Sequence, residues 1–199
     1  MGLLLLEGPD APLVSLDEAR IHLKDPAVED NDLVLALLAA ATAQAEAYTR
    51  RRFLPQRWRV TLDAFPCGAL VLPFPPLLSV ESVKYLDAAG TLQTVAAEDY
   101  AVRTAETPGE IVPAYGKFWP AARATEDAVR VEFTCGYVVK EDEEAEAWTP
   151  AVPEGIRRAV LLVVGTLYAN RESVITGTTA TPLPQSAEWL LSSYRVVRV

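Results

Sequence analysis

Apolar positions along this chain change period twice, near Trp58 and again near Pro153. Helical spacing governs the first part. Ser15-Leu16-Asp17-Glu18 fits a capping box, in which the serine hydroxyl accepts the amide N–H three residues on and Glu18 reaches back. Leu16, Ala19 and Leu23 follow on one face, and Pro26 predicts the stop, because the residue before a proline avoids helical angles. A second helix is predicted from Glu29-Asp30-Asn31-Asp32, where carboxylates favour the positive end of the helix dipole. Its stripe is Val34, Leu38, Ala41, Ala45 and Tyr48, widened by Leu37. Alanines at 39, 40, 41, 43, 45 and 47 permit close approach by another helix. Arg50-Arg51-Arg52 set cations at the negative end.

From about residue 57 the period falls to two. Trp58 to Leu62, Leu70 to Leu72, Val80 to Leu86, Thr91 to Val95, Tyr100 to Arg103 and Glu110 to Val112 read as short strands. Asp87-Ala88-Ala89-Gly90 is a turn. Val129 to Cys135 alternates cleanly, with Val129, Val131, Phe133 and Cys135 on one face. Strands of this length and spacing predict a small antiparallel sandwich or barrel. Pro73, Pro75 and Pro76 fall between strands, where a missing amide donor does little harm.

Helical spacing returns after Pro153. Ile156, Val160, Val163 and Leu167 form a stripe that Ala159, Val164 and Tyr168 broaden, so this helix is predicted to be the central buried one. Thr176 to Pro182 reads as a linker. A last short helix, capped by Ser186, is predicted from Ser186 to Arg195. The expected fold is α+β: a bundle of about four helices carrying an inserted small antiparallel β module. The expected parts are 1–56, helical; 57–149, the β module; and 150–199, helical with a C-terminal tail.

Composition and charge narrow the function. Half of the 199 residues are apolar, enough for a real core. Lys and Arg number 18 against 27 Asp and Glu, a net charge of −9. Such a chain is poorly suited to gripping phosphate backbones, which takes clustered Lys and Arg. It could line a passage through which DNA slides without sticking. Glu141 to Glu146 holds five acids in six residues and reads as a solvated loop. Cys67 and Cys135 have no metal-like spacing and are expected as small buried residues in strands. The run Leu3 to Leu6 lacks a basic flank and is too short for a signal core. No apolar stretch reaches the roughly 18 residues of a membrane helix. Cytoplasmic synthesis and assembly are expected.

Candidate chemistry is sparse. A triad mechanism could use only His22, the single histidine, which flanks the first helix's apolar face and reads as a packing or surface group. A zinc site built on several histidines is impossible, and no phosphate-cradling glycine motif occurs. No cofactor, metal or catalytic residue is assigned, and no enzyme activity is expected. Arg50-Arg51-Arg52 is explained by its helix end rather than by phosphate binding.

Several segments taken in order resemble the phage head–tail connector (adaptor) family, including the adaptors of gene transfer agents. Val14 to Lys24 looks like its opening helix. Glu29-Asp30-Asn31-Asp32 with Leu33 to Ala41, and Ala45 to Arg52, are similar to its second. Leu72 to Val80 and Tyr85 to Gly90 resemble the β insertion of the larger members. Val152 to Ala159 with Tyr168 to Glu172 resembles the next helix, and Leu190 to Arg195 the closing segment. Each motif alone is weak; their order carries the likeness. It implies a structural ring, about twelve copies of the chain, between the portal protein of a DNA-filled head and a tail stopper or terminator. DNA would pass through without specific binding, and no membrane is involved.

The tail is the candidate site. Trp189, Leu190, Leu191, Tyr194, Val196 and Val197 follow the linker, and exposing them all to water is unfavourable. Trp and Tyr are frequent interface anchors, and Arg195 and Arg198 add positive charge to an acidic subunit. Trp189, Leu190, Leu191, Tyr194, Arg195 and Arg198 are therefore expected to dock on the portal or a neighbouring subunit; the competing expectation is that the tail folds back on its own helices. The rival function is a β-rich binding module of a tail or surface-recognition assembly, against which the flanking helices stand.

Overall fold

The computed structural model describes residues 1–24, 26–139, 149–170 and 183–197. The chain forms two compact units, Met1–Pro9 with Leu54–Pro150 and Asp10–Phe53 with Ala151–Val199.

The first unit is built of strands: β1 (Gly2–Glu7), β2 (Gln56–Leu62), β3 (Leu70–Val71), β4 (Leu77–Leu86), β5 (Leu92–Thr94), β6 (Tyr100–Arg103), β7 (Glu110–Pro113), β8 (Val129–Cys135), β9 (Val138–Val139) and β10 (Thr149–Pro150). A five-stranded sheet runs β1-β2-β8-β4-β5, a three-stranded one β3-β7-β6, and β9 pairs with β10; every pairing is antiparallel. β8 lies at the centre of the larger sheet. Its alternate residues Val129, Val131, Phe133 and Cys135 are completely buried, as period-two patterning demands. They meet Val60, Val83, Leu70, Leu72 and Ile111 in one core between the two sheets. Burial of each such side chain contributes about 1.5–3 kcal/mol. On the other face the sheet is polar: Arg59 sits opposite Glu132 in the β2–β8 register and bonds to it at 2.6 Å.

Turn chemistry fixes the ends. The Asp87 carboxylate accepts the Ala89 and Thr91 amides, each at 2.9 Å, and Gly90 takes φ +84° to close the turn. After β8, Gly136 takes φ +135° where a Cβ would meet the Leu54 carbonyl carbon at 2.6 Å, so only glycine fits.

Among the described residues the second unit holds four α-helices: α1 (Leu16–His22), α2 (Asn31–Thr49), α3 (Glu154–Ala169) and α4 (Gln185–Ser192). The Ser15 hydroxyl accepts the Glu18 amide at 3.2 Å, the cap expected. The reciprocal bond is absent: the Glu18 carboxylate bonds to Arg157 of α3 instead. α3 buries Ile156, Ala159, Val160, Leu161, Val163 and Val164. α2 buries Val34, Leu38, Ala41 and Ala45.

Several details differ from expectation. The apolar run at the N-terminus is a strand on β2, so residues 1–9 fall in the β unit rather than the helical one. Cys135 is buried in β8, but Cys67 is exposed in a loop before β3, because Pro66 and Gly68 hold that stretch outside the ladder. Thr49, not Tyr48, continues the buried stripe of α2; its hydroxyl is satisfied by the Ala45 carbonyl at 2.8 Å. α1 stops at His22, earlier than Pro26 requires, with Lys24 left-handed at φ 62°. α4 starts at Gln185 after Pro184, and Ser186 is not its cap. The acidic loop 141–146, the linker 176–182 and Arg198 lie outside the described residues.

Candidate functional site

The C-terminal segment carries the expected anchors, and the helical unit sorts them by direction. α4 turns Ala187 and Leu191 inward, both fully buried, with Leu183 just ahead of it buried as well. Leu190 and Tyr194 are half-buried. Tyr194 packs its ring against Gly155, where a Cβ would come within 3.0 Å of the phenol oxygen. Its carbonyl accepts from Arg51 Nε at 2.5 Å, and the Val196 amide donates to the Thr49 carbonyl at 3.0 Å. Arg195 stacks its guanidinium 5.2 Å from the centre of the Tyr48 ring. Among the described apolar residues of the segment, Trp189, 75% exposed, and Val197, 73% exposed, point outward, and Arg195 is exposed as well.

Folding back therefore accounts for Leu191, whose side chain is unavailable to a partner in this arrangement, and for much of Leu190 and Tyr194. Trp189 and the open side of Arg195 remain as an outward pair. Two of the three arginines after α2 are occupied: Arg51 holds the tail, and Arg52 lies 3.4 Å from Glu46. Glu46 also accepts the Phe53 amide at 2.8 Å. Burial pushes its carboxyl above the ordinary range, and these two partners only partly oppose that. Glu132 goes the other way, held low mainly by its hydrogen bond from Arg59. Asp87 is likewise lowered, first by the Gln93 amide.

Among the described residues none of these groups makes a reactive constellation. His22 is half-buried, and its ring lies beside Gly165 of α3, where a Cβ would stand 3.4 Å from Nε2. Among the described residues no cluster of three or more His, Cys, Asp or Glu is placed to hold a metal. No described helix is long and apolar enough to cross a membrane.

What the molecule does offer is uncovered apolar surface. In the helical unit, α2 turns Leu33, Leu35 and five alanines (36, 39, 40, 43 and 47) outward. In the β unit, Leu3, Leu4 and Leu5 of the edge strand β1 are 45%, 53% and 45% exposed. An open cavity of about 440 Å³ is lined by Phe65, Pro66, Cys67, Phe118, Trp119 and Pro120 among others. Phe65 and Trp119 stack there, 4.8 Å between centroids, and Phe118 is 90% exposed. Reading the sequence for core missed both β-unit features. The signal for the first was present: four leucines bounded by Gly2 and by Glu7-Gly8-Pro9 have the form of a short strand.

Comparison with known proteins follows the fold closely. No protein-family model and no curated protein matches the sequence. Among solved structures, the chain superposes over its full length on a chain from the neck of an empty gene transfer agent particle with C6 symmetry (TM-score 0.77, 23% identity, 97% of that chain covered). It superposes equally on a chain from the virion of a native gene transfer agent particle (TM-score 0.78, 24% identity, 97% covered). A third match is a chain from the neck of a native particle with C12 symmetry (TM-score 0.74, 24% identity, 97% covered). In each case this chain is covered completely, so helical and β units alike share the fold of those chains.

Proposed function

We propose that this chain is a structural subunit of the neck of a gene transfer agent or related phage-like particle, one copy in a ring joining a DNA-filled head to its tail. The observation that carries the reading is full-length likeness to chains of particle necks treated with C6 and C12 symmetry. A ring of twelve copies would be compatible with either symmetry. The portal protein would lie on the head side and a tail stopper or terminator on the other. The role needs no catalytic group. A net charge of −9 suits a wall that DNA passes without binding. The β-rich binding module is the weaker reading, because the likeness extends through the helices as well as the strands.

In this account the tail is a docking element through its outward groups. Trp189 and Arg195, with Arg198 following, would engage the portal or a neighbouring subunit, while Leu191 holds α4 in place. The reading is tested by incubating the protein with portal rings of the same particle and viewing the product by electron microscopy. A second ring stacked coaxially on the portal is expected. A protein that stays unbound across portal concentrations would refute the proposal.

A further inference from the structure

We propose that the leucine edge of β1 in one copy seats in the aromatic cavity of the next copy, making this the contact that closes the ring. The inference rests on the neck reading and names the surfaces that reading requires. β1 is the edge of the five-stranded sheet, and its outer backbone groups pair with no described strand. Edge strands are normally blunted by charge, proline or a bulge that turns them away. β1 has such an irregularity only between Leu5 and Glu7, and ahead of it presents Leu3, Leu4 and Leu5, which point alternately to both faces and stay about half exposed on each. An uninterrupted apolar strand belongs where both faces are covered. Among the described residues neither face is fully covered, which leaves room for cover by a second copy.

The complementary surface lies on the same unit, toward the opposite edge. Phe65 of the cavity packs on Tyr85 of β4, centroids 6.0 Å apart, and the Arg123 amide at the cavity's end donates to the Leu86 carbonyl of the same strand. In the order β1-β2-β8-β4-β5 that is three strand spacings from β1, roughly 14 Å. A protruding apolar edge on one side and an apolar cavity on the other make a heterologous contact, which closes into a ring when the rotation per step fits.

The ring that the neck reading requires makes a second copy the occupant, and charge permits it. Copies carrying −9 each repel over most of their surface and can meet only where that charge is absent or complemented. Leu3 to Leu6 and the cavity lining contain no charged residue. Their borders are complementary in part. Asp127 stands by Gly2 and Leu4, and Glu7, paired with Arg57, closes the other end. Lys117, paired with Asp99, and the exposed Arg123 flank the aromatic segment. Arg59 and Arg130 beside Leu4 belong to the outer sheet face, with Arg59 tied to Glu132.

The cavity carries its own probe, because Cys67 is exposed in its lining while Cys135 is buried. The full-length Leu4→Cys variant, assembled on portal rings and treated with a short bismaleimide, should give a ladder of covalent multimers. Adding Cys67→Ser should abolish the ladder. As a second readout that leaves β1 untouched, coupling a maleimide-polyethylene glycol to Cys67 of the unaltered protein should block ring formation. Rings that form without cross-linking, or that form normally from the coupled protein, overturn the inference and leave the neck reading standing. An unaltered, uncoupled protein that forms no ring on the portal overturns the neck reading, and this contact with it.

Discussion

β8 and β1 stand two places apart in one antiparallel sheet, yet they treat their apolar residues in opposite ways. β8 alternates, hides Val129, Val131, Phe133 and Cys135 completely, and gives Arg130, Glu132 and Thr134 to the other face. β1 does not alternate: Leu3, Leu4 and Leu5 are each about half exposed, and Leu6 alone of its residues is more covered. Alternation is the mark of a strand whose chain supplies one face of cover and whose solvent supplies the other. A run of leucines at an edge is the mark of a strand that its own chain leaves uncovered on both. The difference separates two uses of hydrophobic surface in one unit: β8 holds the fold, and β1 is available to hold the assembly.

The sharpest way to break this comparison is to cut at the centre. Phe133→Ala removes a fully buried ring and should destabilise the β unit by about 3–5 kcal/mol, with ring formation lost because the unit unfolds. Urea denaturation followed by tryptophan fluorescence measures it. At the edge the same kind of change should split the two readouts. Leu4→Asp, at a position 53% exposed, should cost roughly 1 kcal/mol or less in denaturation yet abolish rings. Equal stability loss at the two positions would show that β1 is ordinary core.

Titration sharpens the contrast between the two units. Burial holds the folded Glu46 carboxyl above the ordinary value of 4.5, so its ionisation opposes folding. That penalty is absent below pH 4.5 and complete above the raised folded value. Glu132 is depressed below 4.5, so its contribution is present above that pH and fades as pH falls through the folded value. At pH 7 Glu132→Gln should lose roughly 0.5–1 kcal/mol, discounted for a partly exposed pair. Glu46→Gln keeps an acceptor for the Phe53 amide and should be no less stable than the parent. Denaturation midpoints from about pH 3 to 8 decide both. The smallest effect on stability belongs to Trp189→Ala, about 0.5 kcal/mol or less at a site 75% exposed, with portal binding nevertheless weakened in a pull-down titration.

The sequence made the sheet's interior readable because β8 obeys a strict period of two and its neighbours β2 and β4 follow it in part. β2, β4 and β8 lie where Trp58, Val80 and Val129 begin their alternating runs, within a few residues. The helices were legible for a similar reason, and Ser15 marked the first by a cap whose geometry is local. What escaped was whatever the far sequence decides. Cys67 looked like a strand residue, but its neighbours Pro66 and Gly68 keep it in a loop. Glu18 satisfied the capping pattern, but Arg157, 139 residues on, is the partner its carboxylate takes. The tail's apolar residues read alike in sequence, and only packing against α2 and α3 divides Leu191 from Trp189. Leu3 to Leu6 read as a run too short for a membrane signal; that it pairs with β2 depends on a register no local pattern shows.

The most direct test of the central claim is the mass of the complex formed when the full chain is added to portal rings. Native mass spectrometry should find twelve copies of the 21.6 kDa chain added to each portal in a single step, with partial rings scarce. A complex carrying one or a few independently bound copies, or none, would contradict the account.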